Sequence, residues 1–468
     1  MTAETATADA AGAALSLKAR DIAALAHPYT NLAAHQRTGP LVITRGEGIY
    51  VFDETGRSYI EGLAGLWCTS LGFSEPRLVE AAVRGMRQLP FYHSFGGKAP
   101  APTIRLAERL LALAPVPMSK VLFSNSGSEA NDTAIKLIWY YNNALGRPQK
   151  KKIIARKRGY HGVTVATASL TGLPANHIDF DLPIDRMVHT DCPHWWRYAD
   201  EGESEDDFAA RLAQNLERLI IREGPETIAA MFAEPVMGAG GVIVPPASYF
   251  ARIQPILKHY DILLVADEVI CGFGRTGNRW GSETFSIAPD MLTCAKALSS
   301  GYIPISALLI SEPIWQGMVA ESAKIGVFGH GYTYSGHPVA AEVALETLAL
   351  YEERDILTHV RKVAPVLQDG LRALADHPLV GEARGVGLIG ALEIVADKNT
   401  KAAFPAAGGV GAYLSQRAEA NGVITRIIGG DIVAFSPPLI IEASQIREML
   451  ARIGRALDET WSWLRTGA

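Results

Sequence analysis

The sequence predicts an α/β protein that has a large, mostly parallel β-sheet and a second, smaller α/β domain. Short apolar runs recur along the middle of the chain, and stretches with helical periodicity separate them. This alternation is typical of βαβ units, which build parallel sheets. The chain also has 468 residues, more than one compact core usually holds, so we expect two domains.

The apolar runs end abruptly in a polar or aromatic residue. The residues found at or just after these ends are Ser126, Tyr160, Glu234, Asp267 and Lys296. Ligands in open α/β sheets bind outside the carboxyl ends of the strands, so we expect these side chains to lie near one site. Each residue taken alone is more often a turn or solvated loop residue, and only their repetition favours a site.

The segment SNSGSEAND follows the short strand predicted at residues 120–123. Ser126 and Glu129 have the spacing of a capping box, which predicts the start of a helix. The N–H groups of a helix N-terminus point outwards and its dipole favours negative charge, so the segment is suited to binding a phosphate. The alternative is an ordinary capped helix.

The other segments predict a chain with four parts. Short β-like pieces fill residues 31–72, a long helix follows Pro338, and an amphipathic helix spans roughly residues 444–463. We expect a flexible N-terminal tail or arm at 1–30, the N-terminal part of the small domain at 31–75, the large domain at 76–337, and the C-terminal part of the small domain at 338–468.

Composition excludes several classes of function. A net charge of −5 gives no electrostatic reason to expect a nucleic-acid or membrane partner. No run approaches the roughly 18 apolar residues of a membrane helix. The four cysteines form no C-x-x-C pair, which favours a reducing compartment. The first residues lack the pattern of a secretory signal, so we expect a cytoplasmic protein.

Three motif-like segments are poor candidates for binding sites. Residues 272–277 and 385–390 both fit G-x-G-x-x-G, but neither opens a helix as a dinucleotide site requires. His189, Asp191, Cys192 and His194 match no zinc template. We therefore expect neither a dinucleotide site nor a metal site here.

The motifs together resemble the class III (ω-) aminotransferases, which are fold-type I pyridoxal-phosphate enzymes. The resemblance covers the chain from about Asn31 onward and is carried by SNSGSEAND, RGYHG, AEPV, ADEVICGFGRTG, CAKALSSGY and HGYTYSGHP. It implies a large domain with a mostly parallel seven-stranded sheet. The sequence is most similar to the pyruvate-using branch that accepts amines and β-alanine.

The resemblance implies a role for each cofactor residue. Lys296 would hold pyridoxal 5′-phosphate as a Schiff base and then shuttle a proton. Asp267 would pair with the pyridine nitrogen. The phosphate would lie on Gly127 and Ser128, the ring would lie between Tyr160 and Val269, and Thr333 would reach the phosphate of the neighbouring subunit.

The resemblance also implies a substrate pocket and a homodimer. Trp67, Phe95, Tyr160 and Tyr332 would wall the pocket, and Arg426 would bind a carboxylate. Ser126, His161 and Glu234 would support the site. A shared active site implies a homodimer, and such dimers could pair into tetramers. The implied substrates are an amine or ω-amino acid and a keto acid such as pyruvate.

Two other activities stay open at this point. A decarboxylase or aminomutase would keep the cofactor but break a different bond, and release of carbon dioxide would identify a decarboxylase. A non-catalytic protein that binds a phosphate ligand would not need Lys296.

Overall fold

A computed structural model gives the structure of residues 16–405 and 408–466. The α-helices are α1 Leu17–Ala24, α2 Leu32–Thr38, α3 Ala64–Trp67, α4 Pro76–Gln88, α5 Ala101–Leu113, α6 Gly127–Ala144, α7 Val165–Leu170, α8 Trp195–Tyr198, α9 Glu205–Glu223, α10 Tyr249–His259, α11 Gly281–Thr284, α12 Glu312–Ile325, α13 Pro338–Glu353, α14 Ile356–Leu374, α15 Val410–Ala420 and α16 Ala443–Thr466. Short 3-10 helices occupy Phe95–Gly97, Pro174–Asn176, Pro225–Thr227 and Lys296–Ser299.

The strands form three sheets. They are β1 Ile43–Glu47, β2 Tyr50–Asp53, β3 Ser58–Glu61, β4 Lys120–Ser124, β5 Lys152–Arg156, β6 Met187–Thr190, β7 Ile228–Ala233, β8 Leu263–Asp267, β9 Met291–Cys294, β10 Ser306–Ile310, β11 Val380–Val386, β12 Ile389–Ile394, β13 Val423–Ile424, β14 Arg426–Ile428 and β15 Ile432–Phe435.

The largest sheet has seven strands in the order β4-β10-β9-β8-β7-β5-β6. Strand β10 runs antiparallel to both of its neighbours, and the other pairs are parallel. The predicted seven-stranded, mostly parallel sheet is therefore confirmed. Because β8 and β9 are parallel neighbours, Asp267 at the end of β8 and Lys296 just after β9 lie at the same edge.

Helices cover both faces of this sheet, so its central strands are largely apolar. All six residues of β7 are buried. The neighbouring residues Ile153 and Ile154 of β5 belong to different core clusters, one with α6 and α12 and the other with α9 and α10. Successive side chains on a strand point to opposite faces, and each face is filled by its own pair of helices.

Two four-stranded sheets lie outside the large one. One has the order β1-β2-β3-β13, and the other has the order β11-β12-β15-β14. In the first, Val423 and Ile424 pair in parallel with Ile60 and Glu61. This pairing joins an early segment of the chain to a late one.

The N-terminal part of the chain contains regular structure. Residues 16–30 of the predicted tail include α1 and a turn, and residues 1–15 lie outside the described residues. Among the described residues, no helix has the length and apolar character needed to cross a membrane.

Candidate active site

A cavity of about 350 Å³ opens at the edge where β8 and β9 end. Eight of the predicted cofactor and supporting residues line it together with Lys296. The lining includes Ser126, Gly127, Ser128, Tyr160, His161, Glu234, Asp267, Val269 and Lys296. The structure therefore brings together residues that are up to 170 positions apart in the chain, as their shared position at strand ends predicts.

Asp267 is held in place by three donors. Its Oδ2 accepts hydrogen bonds from Asn131 Nδ2 and His161 Nδ1, each at 2.8 Å, and its Oδ1 accepts one from the Val269 N–H at 3.1 Å. Asn131 is oriented in turn by Thr293, which donates to its side-chain oxygen. The Asp267 side chain is 4% exposed, so this network fixes a shielded carboxylate at the wall of the cavity.

Lys296 lies in the same cavity in an unusual backbone conformation. Its φ of 48° falls in the left-handed region, where a residue with a Cβ is strained. Such strain concentrates at functional sites. Burial lowers the pKa of the Lys296 amine, and this effect outweighs the opposing field of Cys68 and Asp267. A larger fraction of this amine is therefore uncharged at neutral pH than for a solvated lysine.

Helix α6 presents its N-terminus to the cavity. Ser126 is the N-cap and accepts the Glu129 N–H. The capping box predicted here is only half formed, because the Glu129 carboxylate accepts the N–H of Asn125 and not that of Ser126. The N–H groups of Gly127 and Ser128 lie in the first turn, where a helix supplies no acceptor, and so they can bind an anion.

Gly127 also lies close to Val269. A Cβ at Gly127 would come within 2.9 Å of a Val269 methyl group, so a larger residue would disturb this wall. Strand β8 ends at Asp267, and Val269 lies in the turn that follows it. The turn forms because the Val269 N–H bonds back to the Asp267 carboxylate.

Glu234 holds the turn that carries Tyr160. One carboxylate oxygen accepts the Tyr160 N–H at 2.9 Å and the other accepts the Gly238 N–H at 3.0 Å. Burial raises the pKa of Glu234, and burial also raises the pKa of Tyr160. Glu234 therefore acts on the geometry of the cavity through the backbone of its neighbours.

Trp67 and Arg426 lie together beside this cavity, and neither is among its lining residues. The Arg426 guanidinium carbon is 5.3 Å from the centre of the Trp67 ring and 5.8 Å from the centre of Tyr29. Tyr29 meets Tyr160 edge to face, with 6.4 Å between ring centres. Arg426 thus packs among the rings of Trp67 and Tyr29, and Tyr29 in turn meets Tyr160 in the cavity wall.

The other predicted substrate residues lie around a second cavity. Phe95 and Tyr332 line a space of about 520 Å³ that is separate from the Lys296 cavity. Thr333 follows Tyr332, is exposed, and belongs to neither lining. Within one chain, these three residues are therefore not brought to Lys296.

The sequence patterns did not identify several residues of the site. Asn131 and Thr293 orient Asp267, Cys68 lines the cavity, and Tyr29 covers Tyr160. Asn131 had a usable signal, since it lies within SNSGSEAND on the same helix as Ser128. The others had none, because their positions depend on contacts between distant segments.

The chemical groups of the cavity match those of pyridoxal phosphate. Its aldehyde needs an amine, which Lys296 supplies, and its pyridine nitrogen needs a carboxylate, which Asp267 supplies. Its phosphate needs outward N–H groups, which the start of α6 supplies. His189, Asp191 and His194, which match no zinc template, have separate partners: His189 faces Leu170, Asp191 faces Lys157, and His194 faces Glu382.

Comparison with protein families gives a match over most of the chain. The sequence profile described as "Aminotransferase class-III" matches residues 32–457. Gamma aminobutyrate transaminase 3, chloroplastic, from Solanum lycopersicum is 54% identical over 422 residues, which cover 90% of this chain and 81% of that protein.

Solved structures are similar over the same extent. The omega transaminase from Pseudomonas jessenii in complex with PMP is 54% identical and superposes with a TM-score of 0.95, covering 97% of this chain and all of that one. A transaminase with L-alanine is 58% identical with a TM-score of 0.89, covering 91% of this chain and all of that one.

The names of the plant relatives contradict the expected cytoplasmic location. Relatives from Solanum lycopersicum and Oryza sativa that are 52–54% identical are named chloroplastic or mitochondrial. The expectation rested on the missing secretory pattern and on isolated cysteines. That inference was too broad, because organelle transit peptides have a different, amphipathic composition and reducing compartments exist inside organelles.

Proposed function

This chain belongs to the class III aminotransferases, which use pyridoxal phosphate to move an amino group from an amine to a keto acid, and we propose that Lys296 is its catalytic lysine. The observation that carries the proposal is the meeting of Lys296 and Asp267 in one cavity, at the ends of neighbouring parallel strands.

In this proposal each residue of the cavity has one task. The bound cofactor supplies a ring that accepts electrons from the substrate carbon. Lys296 would hold the cofactor and would accept and return the proton of that carbon at its Nζ; its lowered pKa keeps the amine able to take a proton near neutral pH. Asp267 would pair with the ring nitrogen, and His161 and Asn131 hold its carboxylate in position.

The remaining residues position the cofactor. The N–H groups of Gly127 and Ser128 would bind its phosphate at the start of α6. Tyr160 and Val269 would hold its ring, and Glu234 sets the position of Tyr160 by accepting a hydrogen bond from its N–H. Ser126 fixes the first turn of α6 by capping it.

We propose an amine or ω-amino acid as the donor and a keto acid such as pyruvate as the acceptor. The relatives named as gamma aminobutyrate transaminases support an ω-amino acid, and the similar transaminase seen with L-alanine supports pyruvate, which is the keto acid of alanine. Arg426 would bind the carboxylate of either substrate, since a guanidinium forms two parallel hydrogen bonds with it. Trp67 would border the path between Arg426 and the Lys296 cavity.

We also propose a homodimer in which each chain completes the other's site. The support is that Phe95, Tyr332 and Thr333 do not reach their own chain's cavity, while apolar side chains stand exposed around them. These exposed residues are Phe91, Tyr92, Phe95, Val327 and Tyr334. The predicted domains, 76–337 as the large one and 31–75 with 338–468 as the small one, belong to the same proposal; the pairing of β3 with β13 supports it.

The test is a visible absorption spectrum of the purified protein with pyridoxal phosphate. We expect a yellow band that bleaches on adding γ-aminobutyrate or 1-phenylethylamine and returns on adding pyruvate. Lys296→Ala should abolish both the cycle and the covalent bond to the cofactor. Lys324→Ala is the matched control, because Lys324 is 71% exposed on α12.

Each outcome bears on one part of the proposal. A variant at Lys296 that retains the full cycle would refute its role. A band that bleaches with amines and returns with 2-oxoglutarate but not with pyruvate would refute the proposed acceptor. A protein that runs as a monomer in size-exclusion chromatography while fully active would refute the shared site.

A further inference from the structure

Asp21, His27 and His35 form a cluster near the N-terminus that amino transfer does not use. His27 Nε2 lies 2.9 Å from Asp21 Oδ2, and His35 Nε2 lies 2.9 Å from Asp21 Oδ1. One donor atom from each residue lies within 4.8 Å of the other two. The three side chains are 15%, 25% and 10% exposed in that order, so the cluster is largely shielded from water.

We propose that this cluster is a binding site for a divalent transition-metal ion such as Zn²⁺. Two imidazoles and one carboxylate are a donor set that binds zinc and leaves a position open for water. Zinc bonds of about 2.1 Å at tetrahedral angles put the donors roughly 3.4 Å apart, so each histidine nitrogen has to move away from the Asp21 carboxylate by only about 0.5 Å. The ion would replace the protons that now join the imidazoles to Asp21.

A second cluster of the same kind shows what sets this one apart. His194, Glu382 and Glu393 also bring their donor atoms within 4.8 Å of one another. There, however, Arg384 is paired with both carboxylates, and Arg197 is paired with Glu393. Guanidinium groups already neutralise that charge and occupy the place of a cation.

Asp21 has no such partner among residues 16–405 and 408–466. Its ion pairs in this part of the chain are those to the two histidines. When both imidazoles are neutral, the cluster keeps one negative charge, which favours a cation. The ligand geometry and the charge therefore point to the same occupant.

The bound ion would brace the segment that packs against Tyr160, a residue that lines the active-site cavity. Asp21 lies on α1 and His35 on α2, while His27 lies in the linker between them. Tyr29 is in the same linker, with a φ of 49° in the left-handed region. Its hydroxyl accepts a hydrogen bond from Asn176, and its ring meets Tyr160. Tying both ends of the linker would restrict the motion of Tyr29.

The first test measures zinc directly on the holoenzyme. The protein is treated with a chelator, dialysed against graded Zn²⁺, and analysed for zinc per chain. Wild type should bind one more ion than Asp21→Asn and His27→Gln, or bind it at least about tenfold more tightly, which is the loss caused even by removing an outer partner of a metal ligand. Both substitutions keep size and hydrogen bonding, so the segment should still fold.

His259→Ala is the matched control, since His259 is an exposed histidine at the end of α10. It should bind zinc like wild type. Equal zinc binding by wild type, Asp21→Asn and His27→Gln would overturn the proposal.

The second test measures the bracing. Chymotrypsin cleaves after large apolar residues, and Leu25 and Tyr29 are 59% and 60% exposed. Zinc should slow cleavage at these two residues in wild type and leave it unchanged in His27→Gln. Cleavage that zinc does not slow in wild type would refute the bracing.

These readouts use neither an amine nor a keto acid, and amino transfer can be measured with the chelator present. Failure of the metal site is thereby distinguished from failure of the proposed function. Only an effect of zinc on substrate affinity would rest on both.

Discussion

The two cavities of this chain differ in how complete they are. The Lys296 cavity contains an amine, a hydrogen-bonded carboxylate and a helix N-terminus, all supplied by one chain. The cavity around Phe95 and Tyr332 has an apolar, partly exposed wall, and its polar groups bond to each other, as Thr133 does to His330. A single chain thus supplies the groups for the chemistry in one cavity. Its second cavity lacks such groups and has a partly exposed apolar wall.

The difference has a physical basis in the fold. Neighbouring parallel strands deliver Asp267 and Lys296 to one edge, so that part of the site forms whenever the sheet forms. Phe95 and Tyr332 lie on connecting segments, which a sheet does not aim at its own edge. A second copy of the chain would supply what those segments cannot reach alone.

The largest effect should come from Asp267→Asn, which keeps the shape but removes the charge. We expect amino-transfer activity to fall by about 100-fold to 1,000-fold, the range found when one preorganised electrostatic group is removed. Steady-state rates with saturating cofactor measure it.

Glu268→Gln is the control for this prediction. Glu268 is the next residue, is fully buried, and bonds to Gly281 and Ser282 away from the cavity. Burial raises its pKa to about 7, so the neutral side chain resembles one of its natural forms. Equal losses in both variants would mean that the charge of Asp267 has no special role.

A smaller effect is expected from Thr333→Ala. A hydrogen bond to a charged phosphate contributes about 1.5–3 kcal/mol, so cofactor affinity should fall roughly tenfold to 100-fold. Cofactor titration followed by absorbance measures the change.

Co-expression of Thr333→Ala chains with Lys296→Ala chains shows which chain supplies Thr333 to a given site. If sites are shared, a mixed dimer has one site with both Lys296 and Thr333, and that site should bind the cofactor with wild-type affinity. If each chain uses its own Thr333, mixing should not restore cofactor affinity. A second copy of the chain would then not explain why Phe95 and Tyr332 lie away from the Lys296 cavity.

The smallest effect is a change of stability with pH in the cofactor-free protein. The ordinary pKa of lysine is 10.5, and burial lowers that of Lys296. Between the lowered value and 10.5 the unfolded chain binds more protons, so wild-type stability rises with pH across this window. Lys296→Met carries no charge there, so its advantage in the free energy of unfolding should be greatest at lower pH and shrink toward pH 10.5.

Urea unfolding of both proteins over this pH range measures the difference. Lys324→Met, which changes an exposed lysine, should show no such trend. A constant difference between wild type and Lys296→Met would mean that the cavity does not disfavour the charged amine.

Much of the active-site arrangement was predictable from single segments. An apolar run that stops at Asp267 and another that stops at Lys296 predict two strand ends, and their parallel pairing follows from the α/β alternation. The N-terminus of α6 was predictable from Ser126 for the same local reason. The details of the cap were not predictable, because the path of the turn brings the Asn125 N–H, and not that of Ser126, to the Glu129 carboxylate.

The sequence by itself determined which elements form and where their polar ends lie, because apolar periodicity and capping depend on neighbours along the chain. Only the tertiary structure decided that Asn131 and His161 hold Asp267, that Tyr29 covers Tyr160, and that Phe95 and Tyr332 line another cavity. Those outcomes depend on contacts between segments far apart in sequence. Their geometry follows from how helices and loops pack on the sheet, and local patterns carry no record of that packing.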